Sequence, residues 1–149
     1  MHLFKEYESL RFNVCQDQWY EEDVPIYVHP KDPTKRIDIL YSTRPIEIRL
    51  EGHVLARSNS SVHLIEPLLP VRYYLPPTSV DPSILRESDL KTRCPYKGEA
   101  EYWHVLVGKR MSENLIWFYR HPTHECAAIA GSLCFYNEKV EVWLDGKKV

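Results

Sequence analysis

The stretch Pro45-Ile46-Glu47-Ile48-Arg49-Leu50-Glu51-Gly52-His53-Val54-Leu55-Ala56-Arg57 decides the fold class. Ile46, Ile48 and Leu50 alternate with Glu47, Arg49 and Glu51, the period-two pattern of a strand with one face buried. Gly52 accepts the backbone of a tight turn, so the chain doubles back into a second strand over 53–57.

The same reading extends outward. Residues 62–66 and 71–75 are two further strands. Pro76-Pro77 ends the second, because proline cannot donate to a ladder. Residues 81–87 predict one or two helical turns, with Asp81 as N-cap and Pro82 at the first helical position. Strands resume at 102–107 and 115–119. Residues 133–136 and 140–144 flank Asn137-Glu138-Lys139, which predicts a hairpin. Upstream, the proline-rich run 24–33 excludes a long helix. Residues 1–23 read as an N-terminal extension that Phe12, Trp19 and Tyr20 would dock onto the body. The prediction is a mainly β chain: a single-domain antiparallel sandwich or partly open barrel over 24–149, with one or two short helical turns.

The 149 residues fit one domain with its own core. A formal net charge of −2 argues against bulk nucleic-acid binding. No apolar run approaches the roughly 20 residues needed to span a bilayer. Charges near the start interrupt what would be the apolar run of a signal peptide, which predicts a cytoplasmic protein. Cys15, Cys94, Cys126 and Cys134 are widely spaced with no Cys-x-x-Cys pair, which predicts free thiols.

Chemistry concentrates in Thr92-Arg93-Cys94-Pro95-Tyr96-Lys97-Gly98-Glu99-Ala100-Glu101-Tyr102-Trp103, echoed upstream by Arg72-Tyr73-Tyr74. Arginine offers a planar fork for a carboxylate or phosphate, lysine a point charge, and tyrosine and tryptophan stacking faces for a flat ring. Arg72, Arg93 and Lys97 are therefore the expected anion binders, with Tyr73, Tyr74, Tyr96, Tyr102 and Trp103 forming the walls of a pocket for a small anionic or aromatic molecule. An enzyme at the same pocket is the alternative, with Glu66 as general base or Cys94 as nucleophile. A protein–protein module or homodimer is the third reading, since Tyr, Trp and Arg also dominate interfaces. His121, His124 and Cys126 offer three metal-ligand types in six residues, but Pro122 breaks a helical presentation, and a polar turn is the expected structure. No cofactor and no metal are expected.

Arg-Tyr-Tyr-Leu-Pro at 72–76, Cys-Pro-Tyr-Lys-Gly-Glu-Ala-Glu-Tyr-Trp at 94–103, Ile-Ala-Gly at 129–131 and Phe-Tyr-Asn-Glu at 135–138 resemble domain-of-unknown-function family 427. Residues 28–36 resemble its longer members, extending the likeness over about 24–146. The resemblance implies a small, mainly β protein. It maps recurring family residues onto Glu66, Pro70, Arg72, Tyr73, Tyr74, Cys94, Pro95, Tyr96, Lys97, Gly98, Tyr102, Trp103 and Gly131. The family also carries a nucleotidyltransferase-like label. Such enzymes hold Mg²⁺ on paired Asp carboxylates that follow a Gly-Ser pair, and this sequence lacks that arrangement.

Overall fold

The computed structural model describes residues 36–149 throughout, together with the backbone of three N-terminal strands. Those strands, β1 (Leu10–Asn13), β2 (Gln18–Glu21) and β3 (Val24–Ile26), form a small antiparallel sheet in that order. The side chains of Phe12, Trp19 and Tyr20, expected to dock this region, and Cys15 lie outside the described residues, as does residue 27 onward of the proline-rich run.

The rest is a mainly β fold of two larger antiparallel sheets. The first takes β4 (Asp38–Ser42), β7 (Ser61–Ile65), β8 (Arg72–Leu75), β12 (Leu133–Phe135), β11 (Arg110–Tyr119), β10 (Gly98–Val107) and β9 (Leu85–Cys94), in that spatial order. The second takes β14 (Lys147–Lys148), β13 (Glu141–Leu144), β5 (Ile46–Leu50) and β6 (His53–Ser58). The helical content described is three short 3-10 segments. Asp81 caps the one at Pro82–Ile84, its side chain accepting the Ser83 N–H at 2.9 Å.

β5 and β6 form the hairpin that the alternation predicts. Leu50 pairs with His53 across Glu51-Gly52, both at positive φ (50° and 82°), so the turn's twist matches that of the strands. Ile46 and Ile48 are buried while Glu47 faces outward between Arg49 and Arg57. Facing them across the sandwich are Tyr73, Leu75, Val105, Ile116, Phe118, Leu133 and Phe135, which with Val142 and Leu144 complete the inter-sheet core.

A second apolar cluster lies on the other face of the seven-stranded sheet. It joins Val62, Leu64, Tyr74, Ala100, Tyr102, Trp117, Tyr119 and Cys134, and is covered by Cys126 and Ile129 of the 3-10 segment His124–Ile129. The central strands are thus buried on both faces, and each sends alternate side chains to different cores.

Two elements differ from expectation. Residues 133–144 are not a hairpin: β12 pairs with β11 and β8, whereas β13 pairs with β5 and β14. The turn at 137–139 instead carries the chain from one sheet to the other, because Leu133 and Phe135 complete one wall of the core and Val142 and Leu144 the opposite wall. Residues 85–94 form a ten-residue strand where none was expected, so the helical turn expected over 81–87 ends at Ile84. As an edge strand it buries little, so charged side chains replace the alternation that marks a half-buried strand.

Phe135 is 1% exposed at the centre of the inter-sheet core. Phe135→Ala is expected to cost about 3–5 kcal/mol in urea denaturation, since the neighbours cannot close the cavity. Tyr41→Ala, at a position 78% exposed, should stay within about 0.5 kcal/mol of the parent.

Candidate functional site

One row of side chains crosses five strands of the larger sheet. Val62 pairs with Tyr74, Tyr74 with Cys134, Cys134 with Trp117 and Trp117 with Tyr102. Cross-strand partners share a face, so the row is set by register alone. Cys134 is the smallest member of its centre. The two large rings meet over it, edge to face at 6.4 Å between centroids, and the Trp117 indole N–H donates to the Tyr74 hydroxyl at 3.1 Å.

Above this row lies a cavity of about 240 Å³. Tyr74, Tyr102, Trp117, Tyr119 and Tyr136 give it five aromatic walls, and Leu69 and Pro70 close one side. Its polar lining is Glu66, Arg72 and Lys97. Two loops supply the flanks. The first joins β7 to β8 and turns at Leu68 (φ 65°), with the Leu69 N–H bonded to the Glu66 carbonyl at 3.2 Å. Asn137 fixes its far end by donating to the Val71 carbonyl at 2.8 Å.

The second flank is the hairpin tip between β9 and β10. Cys94 and Gly98 pair across Pro95-Tyr96-Lys97. The tip is pinned from behind. The Tyr96 carbonyl accepts from Thr123 Oγ1 at 2.6 Å and from Cys126 Sγ at 3.5 Å, and the Lys97 carbonyl accepts the Thr123 N–H at 3.0 Å. Gly98 makes this possible. Its φ is 109°, and a Cβ there would lie 3.2 Å from the His121 carbonyl oxygen. The His121–Cys126 stretch therefore acts as a brace for Lys97.

The charges on the lining are all partnered. The Lys97 ammonium meets the Glu66 carboxylate as an ion pair whose side chains are 13% and 19% exposed. Arg72 grips Glu138 with two bonds of 2.9 and 2.8 Å and lies 5.3 Å from the Trp117 ring centre. The Arg72 guanidinium holds the Glu138 carboxyl below its usual range. Burial pushes the Tyr74 and Tyr119 phenols well above their usual value. Tyr136 is pushed up to about 12 by burial and by its hydrogen bond with Tyr102. At neutral pH Tyr74, Tyr119 and Tyr136 are therefore uncharged phenols able to donate or accept hydrogen bonds, beside the Glu66–Lys97 and Arg72–Glu138 ion pairs.

Of the residues singled out in the sequence, Glu66, Arg72, Tyr74, Lys97 and Tyr102 line the cavity. Tyr73 and Trp103 face the inter-sheet core, where Tyr73 meets His63 edge-on at 4.8 Å and Trp103 stacks on Phe118 at 6.1 Å. Arg93 projects from the edge strand, 87% exposed and 3.9 Å from Glu99. Tyr96 contributes its carbonyl to the brace, and Cys94 is a half-buried free thiol at the hairpin base that does not line the cavity. Sequence reasoning did not single out Leu69, Trp117, Tyr119 and Tyr136. The run Leu115–Tyr119 is apolar at every position, so alternation has no contrast with which to assign faces.

The Arg72–Glu138 pair gives the protein an acid-sensitive component. The folded state lowers the Glu138 pKa, so this stabilisation is complete above the unfolded value, about 4.3, and is lost as pH falls through the folded value. Glu138 is 53% exposed, and solvent screening limits the contribution to about 1 kcal/mol. Glu138→Gln should lower the melting temperature at pH 7, and by progressively less as the pH falls below the unfolded value, which thermal melts over an acid series would measure.

Among the described residues no helix is long and apolar enough to cross a membrane. No curated protein matches the chain. A model of the family described as a domain of unknown function (DUF427) matches residues 38–146; the likeness seen at 28–36 lies outside that match. The matched stretch runs from the first residue of β4 to the turn after β13, taking in the whole seven-stranded sheet, three strands of the four-stranded sheet and every wall of the cavity, and the chain belongs to the DUF427 family.

Proposed function

We propose that this protein binds a small aromatic or anionic molecule in the cavity between the 66–71 loop, the 95–97 hairpin tip and the outer face of the seven-stranded sheet. One observation carries the reading: five aromatic rings converge around a few polar groups in a concavity of about 240 Å³. Ligand sites combine apolar walls with a small number of oriented polar groups in this way. The volume is below the roughly 300–1,000 Å³ of pockets for drug-sized ligands, which favours a single ring with a short polar substituent. Because Arg72 and Lys97 are each paired with a carboxylate, stacking on the rings is the main source of affinity, and the charged groups set orientation.

An enzymatic role for the same cavity is supported by Glu66, whose carboxylate is on the lining and within reach of a bound ligand. Cys94 has no comparable support.

The test is a thermal-shift panel of single-ring compounds that are neutral, anionic and zwitterionic. At 100 times its Kd a ligand adds about 2.7 kcal/mol to stability, which for a domain of this size raises Tm by roughly 5–11 °C. At least one class should do so, and Tyr136→Phe should reduce the shift. A panel without any Tm increase at millimolar concentration would overturn the reading.

A further inference from the structure

β7 and β10 are separated in the sheet by β8, β12 and β11, yet Glu66, just after β7, and Lys97, just before β10, meet as an ion pair. Two loops thus reach over the intervening strands and join across the cavity. The two side chains are only 19% and 13% exposed, so solvent screens the pair less than it screens a surface pair. Removing one partner of such a pair leaves the other partly desolvated and unpaired, at a cost that water only partly offsets.

That penalty discriminates among ligands. A simple anion that takes Lys97 strands the Glu66 carboxylate. A simple cation that takes Glu66 strands the Lys97 ammonium. A molecule carrying both charges on neighbouring atoms can part the two side chains and give each a new partner, its ammonium facing Glu66 and its carboxylate facing Lys97. The net charge of the site stays the same. The aromatic walls then take a ring attached to the same molecule, with Trp117 and Tyr136, 4.6 Å apart between centroids and tilted by 58°, forming a corner against which one ring can rest.

Resting on the ring-binding reading, we infer that the ligand of this cavity is an aromatic zwitterion of the α-amino-acid type, recognised by exchange of the Glu66–Lys97 ion pair. Nothing in the exchange is covalent. It substitutes two intermolecular charge pairs for one intramolecular pair, and loop 66–71 and the hairpin tip separate to admit the charged end.

Four matched probes test this by calorimetric titration at pH 7: phenylalanine (zwitterion), 3-phenylpropionate (anion), 2-phenylethylamine (cation) and 3-phenylpropionamide (neutral). Phenylalanine should bind at least about tenfold more tightly than each of the others. In Glu66→Gln the order should turn toward 3-phenylpropionate, and in Lys97→Met toward 2-phenylethylamine. If any of the other three probes binds the parent protein as tightly as phenylalanine, the zwitterion inference fails while ring binding stands. If no probe binds, both fail. The ranking on the parent protein decides the matter whether or not either variant folds, and an unchanged ranking in two folded variants would also overturn the role given to the pair.

Discussion

The constraint on which the rest depends is the two-residue period of strands buried on both faces. In β8, Tyr73 and Leu75 enter the inter-sheet core while Tyr74 goes to the opposite face. In β11, Ile116 and Phe118 enter that core while Trp117 and Tyr119 do not. A slip of one residue would exchange the two sets. It would put the Tyr74 and Trp117 rings against the four-stranded sheet and break the row that runs from Val62 to Tyr102. The core and the candidate site are therefore two consequences of one register, and neither can be altered without the other.

Within that frame the site is built from unequal parts. Its floor is rigid: rings held by cross-strand packing and by the Trp117–Tyr74 hydrogen bond, with Cys134 short enough to let them meet. Its flanks are loops tied by different means. The hairpin tip is held by bonds from the Thr123 N–H, the Thr123 hydroxyl and the Cys126 thiol to its carbonyls, and by the close approach that glycine permits at position 98. The 66–71 loop is held by a tight turn, by Asn137 and by the ion pair to Lys97. Of these ties the ion pair is the one that a ligand can replace group for group. The cross-strand floor gives the cavity its shape, and in the proposed reading the replaceable tie is its means of entry.

Much of the fold is legible in the sequence because it depends on local signals. The 46–57 hairpin follows from alternation plus Glu-Gly, and the 3-10 turn from Asp81-Pro82. The parts that are not legible depend on partners distant in sequence. β9 is charged along much of its length because one edge of it has no neighbour among the described residues. The 133–144 stretch carries a good turn, but which sheet each arm joins is decided by β11 and β5. The site divides the same way. Glu66, Arg72, Tyr74, Lys97 and Tyr102 stand out by residue type, and they do line the cavity. Adjacent residues of the same type, Tyr73 and Trp103, face the other core, because neighbours on a strand point in opposite directions. Trp117, Tyr119 and Tyr136 lie in apolar runs where residue type carries no directional information.

The central claim is that the outer face of the larger sheet, rather than the inter-sheet core or the four-stranded sheet, meets the ligand. Indole N–H resonances of ¹⁵N-labelled protein report on it directly, because Trp117 lines the cavity, Trp103 packs toward the inter-sheet core and Trp143 lies on the four-stranded sheet. On titration with phenylalanine the Trp117 signal should move progressively and saturably while those of Trp103 and Trp143 stay in place. A stationary Trp117 signal, with Trp103 or Trp143 moving instead, would contradict the account.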